Sequence, residues 1–464
     1  MNHVSRNTYQ TGQIIIIAGV FMLILIILIT GLVSYAGVQI KGHRQALSRV
    51  QGLNIAEAAI ELAVWKLNNQ QGYTGETGTA YGNGTFNVTI TNLSGNQKLV
   101  KVDSFVPNAA NPQAKRTVQV TVTLGATNIS FNYGVQVDSG GIEMENNSQV
   151  TGNVYSNGNI IGDNSGVRIA GTAIAAGATG KIDEINDIDG DAAAHFLEDV
   201  SVDGSTNSAS LLQATVGGNA VSDSISDCTI GGNATYDTKT SCTIGGTQTT
   251  PNPANFDDPD VLSLPISDEQ IQDWKDEAEA GGVVTSQTID GTASLGPKKI
   301  NGNLTITNGA TLTMTGTIWV TGNISIDNNA TVVLDPSYGS LSGVIVNDGW
   351  IHFDNNGLIG GSGTAGSYLM FLNTLACTGS SGSGCTHHSA AVDLHNNVGA
   401  AIVYVKSGLV HLHNGVNVKE LTAYKIHLSN TASVTYESGL ANAQFSSGPG
   451  GGWEVLDGTW QLLQ

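Results

Sequence analysis

Histidines recur at equivalent places of a short repeated pattern in the last third of the chain. His411 and His413 are two residues apart, and His395 and His427 belong to neighbouring copies of the pattern. In an extended strand alternate side chains lie on one face, and paired strands are about 4.8 Å apart, so these imidazoles can approach one another. With a carboxylate such as Asp393 beside them, they offer ligands for a transition metal. A stacked polar ladder on a solvent face is the alternative; the sequence favours it, and we therefore predict no cofactor.

Carboxylates give two further candidates. The acidic segment Asp183–Asp191 suggests a calcium loop, although the regular oxygen spacing and the closing Glu of an EF-hand are missing. Glycan hydrolysis requires paired carboxylates, or a basic residue beside Asp, that converge on one face. The outer positions of the repeated pattern instead carry Thr, Ser, Asn and His, and no phosphate loop, zinc-protease motif or nucleophile elbow occurs. We therefore expect a protein that is not an enzyme.

The four cysteines fall in two close pairs. Cys228 lies near Cys242, and Cys377 lies near Cys385, without the Cys-x-x-Cys spacing of a metal or redox motif. Close pairing in an exported chain predicts two local disulfides. Unpaired small core residues are the alternative.

A pattern of apolar, any, apolar, any, Asn recurs along the chain. Its copies begin at Ile142, Leu304, Ile324, Ile351, Val392, Val410 and Ile426. Alternation directs the first and third residues inward, which places Leu394, Leu412 and Leu428 in one interior column. The Asn at the fifth position suits a left-handed turn and an amide ladder. Units covered only by their neighbours form solenoids, so we predict a mainly β fold dominated by a right-handed parallel β-helix-like solenoid, with a β-sandwich as the alternative.

A hydrophobic segment near the N-terminus determines where the protein resides. No charged residue occurs from Ile14 to Val33, a stretch that includes Leu23, Leu25 and Leu32. Twenty apolar helical residues span a bilayer core of about 30 Å. The helical spacing continues beyond this stretch, so we predict one long N-terminal helix with a transmembrane first half.

With Gly12 and Gln13 before an aliphatic run, and Ala56–Glu61 further along the helix, the N-terminus resembles minor pilins of the PilX type from type IV pili. Gly12 and Gln13 precede an aliphatic run and resemble the end of a short prepilin leader and the first mature residue. Ile17 stands where major pilins carry Glu, which is why the PilX type fits better. The segment Ala56–Glu61 is similar to the Ala-Glu-Ala-Ala segment of that family. The resemblance implies prepilin-type cleavage after Gly12, a small pilin-type antiparallel sheet, and partnership with other pilins and the pilus assembly machinery.

Composition and charge bear on the class of partner. The 464 residues carry a net charge of −20 with only 18 Lys and Arg, which argues against nucleic acid as a partner.

The predicted organisation is a leader-like peptide at 1–12, the N-terminal helix at 13–72, a small sheet at 73–128, a first solenoid part with an irregular insertion at 129–250, a linker and short helix at 251–283, and a main solenoid with a C-terminal cap at 284–464.

Together these features predict a minor pilin-like surface protein. Its helix would anchor it in the membrane or assemble it with other pilins, and its solenoid would form an extracytoplasmic head for adhesion to a surface glycan or protein. Two alternatives are a membrane-anchored β-helix enzyme that acts on cell-surface polysaccharide and a membrane-anchored scaffold unrelated to pili.

Overall fold

The computed structural model describes residues 10–69, 73–93, 97–125, 127–163, 165–253, 256–379, 385, 389–399, 401–446, 448, 452–456 and 458–463. Residues 1–9 of the predicted leader therefore lie outside the described residues. The chain forms two compact units, one of Met1–Leu124 with Trp453–Gln464 and one of Gly125–Gly452.

The first unit combines one long helix with an antiparallel sheet. Helix α1 (Gln10–Asn69) is continuous over 60 residues. The sheet contains β1 (Gly75–Tyr81), β2 (Gly84–Asn92), β3 (Gln97–Val106) and β4 (Ala114–Gly125), each antiparallel to the next. Small and branched residues on the second half of α1 are buried against alternate residues of the sheet. The helix residues include Ile55, Ala56, Ala59, Ile60 and Ala63, and the sheet residues include Phe86, Val102 and Val120. Alternation in the strands thus gives the sheet one apolar face, which the helix covers.

The C-terminal segment belongs to this sheet. We predicted that the C-terminal residues cap the main solenoid, and this was wrong. Gln461–Leu463 pairs antiparallel with β4, and Gly452–Val455 joins the same sheet. The free edge of β4 offers unpaired backbone groups, and these strands satisfy them.

The second unit is a stack of coils whose strands form three parallel columns. The first column contains Val135–Val137, Val154–Ser156, Ala173–Ala175, Ala234–Thr235, Gln248–Thr249, Ile318–Val320, Gly343–Asn347 and Leu369–Asn373. The second column contains Ile142–Met144, Ile160–Ile161, Lys181–Asp183, Thr238–Thr240, Ile324–Ile326, Ile351–Phe353 and Val392–Leu394. Strands that contribute to both columns are Ala192–Glu198, Thr206–Leu212, Ala220–Ser226, Val283–Ile289, Lys298–Ile306, Ile402–Leu412 and Glu420–Leu428. The third column contains Gln149–Thr151, Arg168–Ala170, Asp187–Ile188, Ser201–Val202, Thr215–Val216, Thr229–Ile230, Thr243–Ile244, Thr292–Leu295, Thr311–Met314, Thr331–Leu334, Leu358–Gly360, Asn417–Val418 and Ser433–Thr435.

The registers confirm the predicted solenoid and its columns. Leu394 pairs with Leu412 and Leu412 with Leu428, and all three side chains are buried. Asn396, Asn414 and Asn430 each have a positive φ, between 45° and 52°. Side-chain amides also bond along this corner, as from Asn355 Nδ2 to Asn328 Oδ1 at 2.6 Å. The predicted right-handed winding stays a prediction.

The first and last coils of the solenoid lie beside each other in its middle. Val135–Val137 pairs on one side with Val154–Ser156 and on the other with Leu421–Ala423. The segments that lead into and out of the stack also pair, Thr127–Ile129 with Ala443–Phe445. From this point one arm extends through residue 249 and the other extends back to residue 283. Sequence order therefore does not follow spatial order.

A single segment connects the two arms along the outside of the stack. This strap, residues 256–280, ends in helix α2 (Asp268–Ala280), which Ser267 caps by accepting a hydrogen bond from the Gln270 amide. Trp274 of α2 is buried against the coils. The contacts of the strap, in chain order, join Pro259 to Gly177, Ser263 to Gln136, Ile266 to Tyr404, Lys275 to Asp348 and Glu279 to Lys299.

The predicted irregular insertion within 129–250 was wrong for its second half. Residues 192–249 form coils that repeat every 14 residues. The backbone N–H of Asn219 donates to Ser205 Oγ, and the backbone N–H of Asn233 donates to Asn219 Oδ1, each across 14 residues. Coils are tight because glycines occupy the corner: a Cβ at Gly218 would lie 2.6 Å from the Gly204 carbonyl oxygen. The interior here holds small residues, such as Ser208 and Ser222, whose hydroxyls are 2.8 Å apart. Small and polar interior residues weaken the apolar alternation on which the prediction depended.

Candidate functional sites

The first half of α1 is an exposed apolar surface. Leu23, Leu25, Leu32 and Val33 are all exposed, as are the apolar residues around them. Among the described residues, one helix is long and apolar enough to cross a membrane, Ile15–Leu67. The side chain of Ile14 lies outside the described part of the chain. Exposed apolar area of this extent requires lipid or another protein to cover it.

The predicted cleavage position lies within the same helix. Gly12 and Gln13 are both helical, and their side chains are outside the described part of the chain. Cleavage after Gly12 stays a prediction.

Both predicted disulfides are present. Cys228 is bonded to Cys242 and Cys377 to Cys385. Cys228 and Cys242 are one 14-residue coil apart, so their bond joins two stacked coils. The second bond closes a short loop with a sequence separation of 8.

The second column of the solenoid places the histidines in one row. His352 pairs in register with Asp393, Asp393 with His411, and His411 with His427. Two residues later on the same strand face lie Asp354, His395, His413 and Ser429. The row exists because each strand contributes alternate residues to the outer face and the strands stack in exact repeat register.

Asp393 is the centre of this histidine cluster and is only 1% exposed. Its Oδ2 lies 2.8 Å from His395 Nε2 and 3.4 Å from His352 Nδ1. Its Oδ1 lies 3.0 Å from His413 Nε2 and 4.0 Å from His411 Nδ1. Each carboxylate oxygen therefore faces two imidazole nitrogens.

Further contacts hold the rings. The rings of His395 and His413 stack with centroids 4.4 Å apart, and those of His411 and His427 stack at 4.3 Å. Ser429 Oγ lies 3.3 Å from His411 Nε2 and 3.3 Å from His413 Nδ1. These contacts fix the ring planes relative to Asp393.

The outermost members of the cluster have carboxylate partners. His352 Nε2 lies 3.1 Å from Asp354 Oδ1, and His427 Nε2 lies 3.4 Å from Glu145 Oε1. The cluster is therefore continuous across the junction of the first and last coils, because Glu145 follows the strand Ile142–Met144.

Charge in the cluster depends on the balance between burial and hydrogen bonds. Burial by itself raises the pKa of Asp393, but hydrogen bonds with His352, His413 and His395 outweigh it and hold that pKa well below its usual range. Burial lowers the pKa of His411 to about 3, so this ring is neutral at neutral pH.

The structure brings together three of the four predicted metal candidates around one carboxylate. His395, His411 and His413 surround Asp393, whereas His427 contacts the cluster through its stacking on His411. Sequence reasoning missed that Asp393 is buried at the centre. The signal was available: Asp393 stands at the second position of its copy, where three other copies carry His.

The acidic segment that suggested a calcium loop brings three carboxylates together in the structure. Asp187 and Asp189 come near Asp203 of the next coil. Arg168 forms ion pairs with Asp187 at 3.0 Å and with Asp189 at 2.6 Å. Arg168 therefore compensates two of these carboxylates, and calcium binding here stays a prediction.

Known proteins show little similarity to this chain. No family model matches the chain, and no curated protein matches it. One solved structure, the competence-associated pilin ComZ from Thermus thermophilus, aligns over 89% of this chain and 96% of its own with 10% identity and a TM-score of 0.23.

Proposed function

We propose that this chain is a membrane-anchored, pilin-like surface protein of the PilX type that carries its solenoid outside the cytoplasm. One observation supports this most directly. Helix α1 is continuous, its first half is exposed and apolar, and its second half is buried against an antiparallel sheet. A helix divided in this way can insert in a bilayer, or among the helices of other pilins, while its second half fixes a folded body to it.

The solenoid is the part that we propose to bind. Its outer strand positions carry hydroxyl, amide and imidazole groups, which hydrogen-bond sugars or protein backbone. The net charge of −20 repels anionic polymers, so an uncharged glycan or a protein surface is the expected partner. Many copies in one filament would compensate for weak affinity at a single site. Two disulfides and a low content of charged residues accord with a location outside the cell.

Processing tests the pilin-like assignment. The full chain is co-expressed with a prepilin peptidase, and the N-terminus of the membrane-associated protein is sequenced. We expect it to begin at Gln13, and we expect Gly12→Val to retain Met1. Gly19→Val is the matched control: it is the same substitution a few residues later, where an added Cβ would meet nothing within 4 Å. An intact Met1 in the wild-type protein would favour a simple anchor and refute the pilin-like assignment.

Binding is tested on the same full-length protein in detergent. We expect retention on surfaces that present neutral glycans or candidate proteins, without release of reducing ends. Release of reducing ends that is lost in Asp354→Asn would contradict the binding role and favour the enzyme alternative.

A further inference from the structure

We propose that the histidine cluster binds two divalent transition-metal ions, with the Asp393 carboxylate as their shared ligand. His352 and His395 would hold one ion with Oδ2, and His411 and His413 would hold the other with Oδ1. The ligand atoms within each set lie within 4.8 Å of one another. This inference is independent of whether the chain enters a pilus.

The separations suit metal ligation. Around one tetrahedral Zn²⁺, bond lengths of about 2.0–2.2 Å place neighbouring ligand atoms about 3.3–3.6 Å apart. The four imidazole nitrogens lie between 2.8 and 4.0 Å from the nearer oxygen of Asp393. Rotation of the imidazole side chains, which lie on the partly exposed outer face, would bring the ligand atoms of each set from within 4.8 Å of one another to this spacing.

The opposite nitrogens of three rings are held as metal-bound histidines require. A ligating imidazole donates its other N–H to an acceptor, which fixes its tautomer and orientation. His352 Nε2 faces Asp354 Oδ1 at 3.1 Å. Ser429 Oγ faces both His411 Nε2 and His413 Nδ1 at 3.3 Å and can accept from each while it donates to the Leu412 carbonyl oxygen at 3.4 Å.

The ligand set selects the class of metal. Imidazole nitrogens with one carboxylate suit Zn²⁺, Cu²⁺ and Ni²⁺, whereas Ca²⁺ and Mg²⁺ prefer sets of oxygen ligands. The ligands come from three successive strands of the second column, Ile351–Phe353, Val392–Leu394 and Ile402–Leu412, together with the residues that directly follow two of them. Bound metal would therefore cross-link three coils next to the junction of the two arms.

The test is metal binding by the full chain in detergent, purified without a polyhistidine tag and stripped with a chelator. Zn²⁺ alone is added, the excess is removed, and bound zinc is measured by elemental analysis; Ca²⁺ is the comparison ion. We expect two Zn²⁺ per wild-type chain and no retained Ca²⁺. Added Zn²⁺ should also raise the midpoint of thermal unfolding, because a ligand that binds the native state stabilises it.

Two pairs of matched variants make the test specific. Asp393→Asn should abolish retention, and Asp189→Asn, which removes a carboxylate from the other acidic cluster, should not. His413→Gln should weaken binding of one ion by about tenfold or more, and His195→Gln, which changes a histidine outside the cluster, should leave both ions bound. Circular dichroism identifies any variant that fails to fold. If Asp393→Asn or His413→Gln fails, the partly exposed ligand His395 is changed instead, and the absorption spectrum of Co²⁺ bound to His395→Gln is compared with that of the wild type.

The outcomes are decisive. Equal zinc content in the wild type and Asp393→Asn, at any level, overturns the proposal. A single Zn²⁺ per wild-type chain overturns the shared carboxylate. Loss of stability without loss of zinc in Asp393→Asn would show that the cluster is a polar ladder alone.

Discussion

Leu412→Ala tests the alternation on which the solenoid depends. Leu412 is fully buried, and its register partners on the two neighbouring coils are Leu394 and Leu428. Burial of a leucine side chain contributes about 1.5–3 kcal/mol, and a cavity that cannot collapse adds a further cost. Here the coils on both sides are held by backbone hydrogen bonds, so collapse is restricted. We expect a loss of about 3–5 kcal/mol in the free energy of unfolding.

Leu358→Ala is the matched control. Leu358 lies on a strand of the same solenoid but is 57% exposed. The same chemical change should cost about 0.5 kcal/mol or less there. Equilibrium denaturation of the full chain in detergent gives the two values. Hydrogen exchange measured by mass spectrometry over residues 402–428 reports local opening, because coils stabilised by their neighbours can open separately. Equal losses at the two positions, or unchanged exchange in Leu412→Ala, would refute the assignment of inward and outward positions.

Two further predictions concern a buried acid and a coil corner. Burial holds the pKa of Glu420 well above its ordinary value of 4.5, although a hydrogen bond from Thr422 opposes this. The folded chain therefore keeps a proton that the unfolded chain releases, and stability falls as pH rises above the ordinary pKa. We expect Glu420→Gln to flatten the decline of the midpoint of thermal unfolding between about pH 5 and 8. Glu143→Gln, on the outer face, should leave this decline unchanged. An equal slope in Glu420→Gln and the wild type would contradict the reasoning. Gly218→Ala should lower the free energy of unfolding by about 1–3 kcal/mol in equilibrium denaturation, because its Cβ would lie 2.6 Å from the Gly204 carbonyl oxygen. Gly399→Ala is the control: the atom nearest to its added Cβ is 3.8 Å away, so this change should be tolerated. Similar losses at both glycines would show that close stacking at the corner is not the cause.

The 14-residue coils show where sequence reasoning stopped too early. The segments Thr215–Ala220 and Thr229–Ala234 read Thr-Val-Gly-Gly-Asn-Ala and Thr-Ile-Gly-Gly-Asn-Ala, and their equivalents are stacked. This period is visible in the sequence, but the interior positions of the first-column strands in these coils hold Ala, Ser and Thr, and single Leu, Ile or Val residues fill the other two columns. A search for large apolar residues at alternate positions therefore passed over them. Glycine at the corner was the stronger signal, because close backbone approach leaves no room for a Cβ there.

The histidine cluster could be predicted from the sequence in part. The repeat predicted that His395, His411 and His413 share one face, because strand alternation and stacking follow from local pattern alone. The central position of Asp393 and the hydrogen bonds of Ser429 required side-chain placement across three coils. Their spacing along the chain differs from coil to coil, since inserted loops separate the copies.

The sequence by itself determined the elements: an apolar helix long enough for a bilayer, an alternating repeat that must stack, paired cysteines, and a row of histidines. Each of these depends on the period of local structure or on short separations along the chain. Only the tertiary structure decided that the first and last coils meet in the middle of the solenoid, that the strap connects its arms, and that the C-terminal strands complete the sheet of the first unit. Those arrangements depend on which free strand edges find partners, and edges separated by hundreds of residues offer the same backbone hydrogen bonds as near ones, so no local pattern distinguishes them.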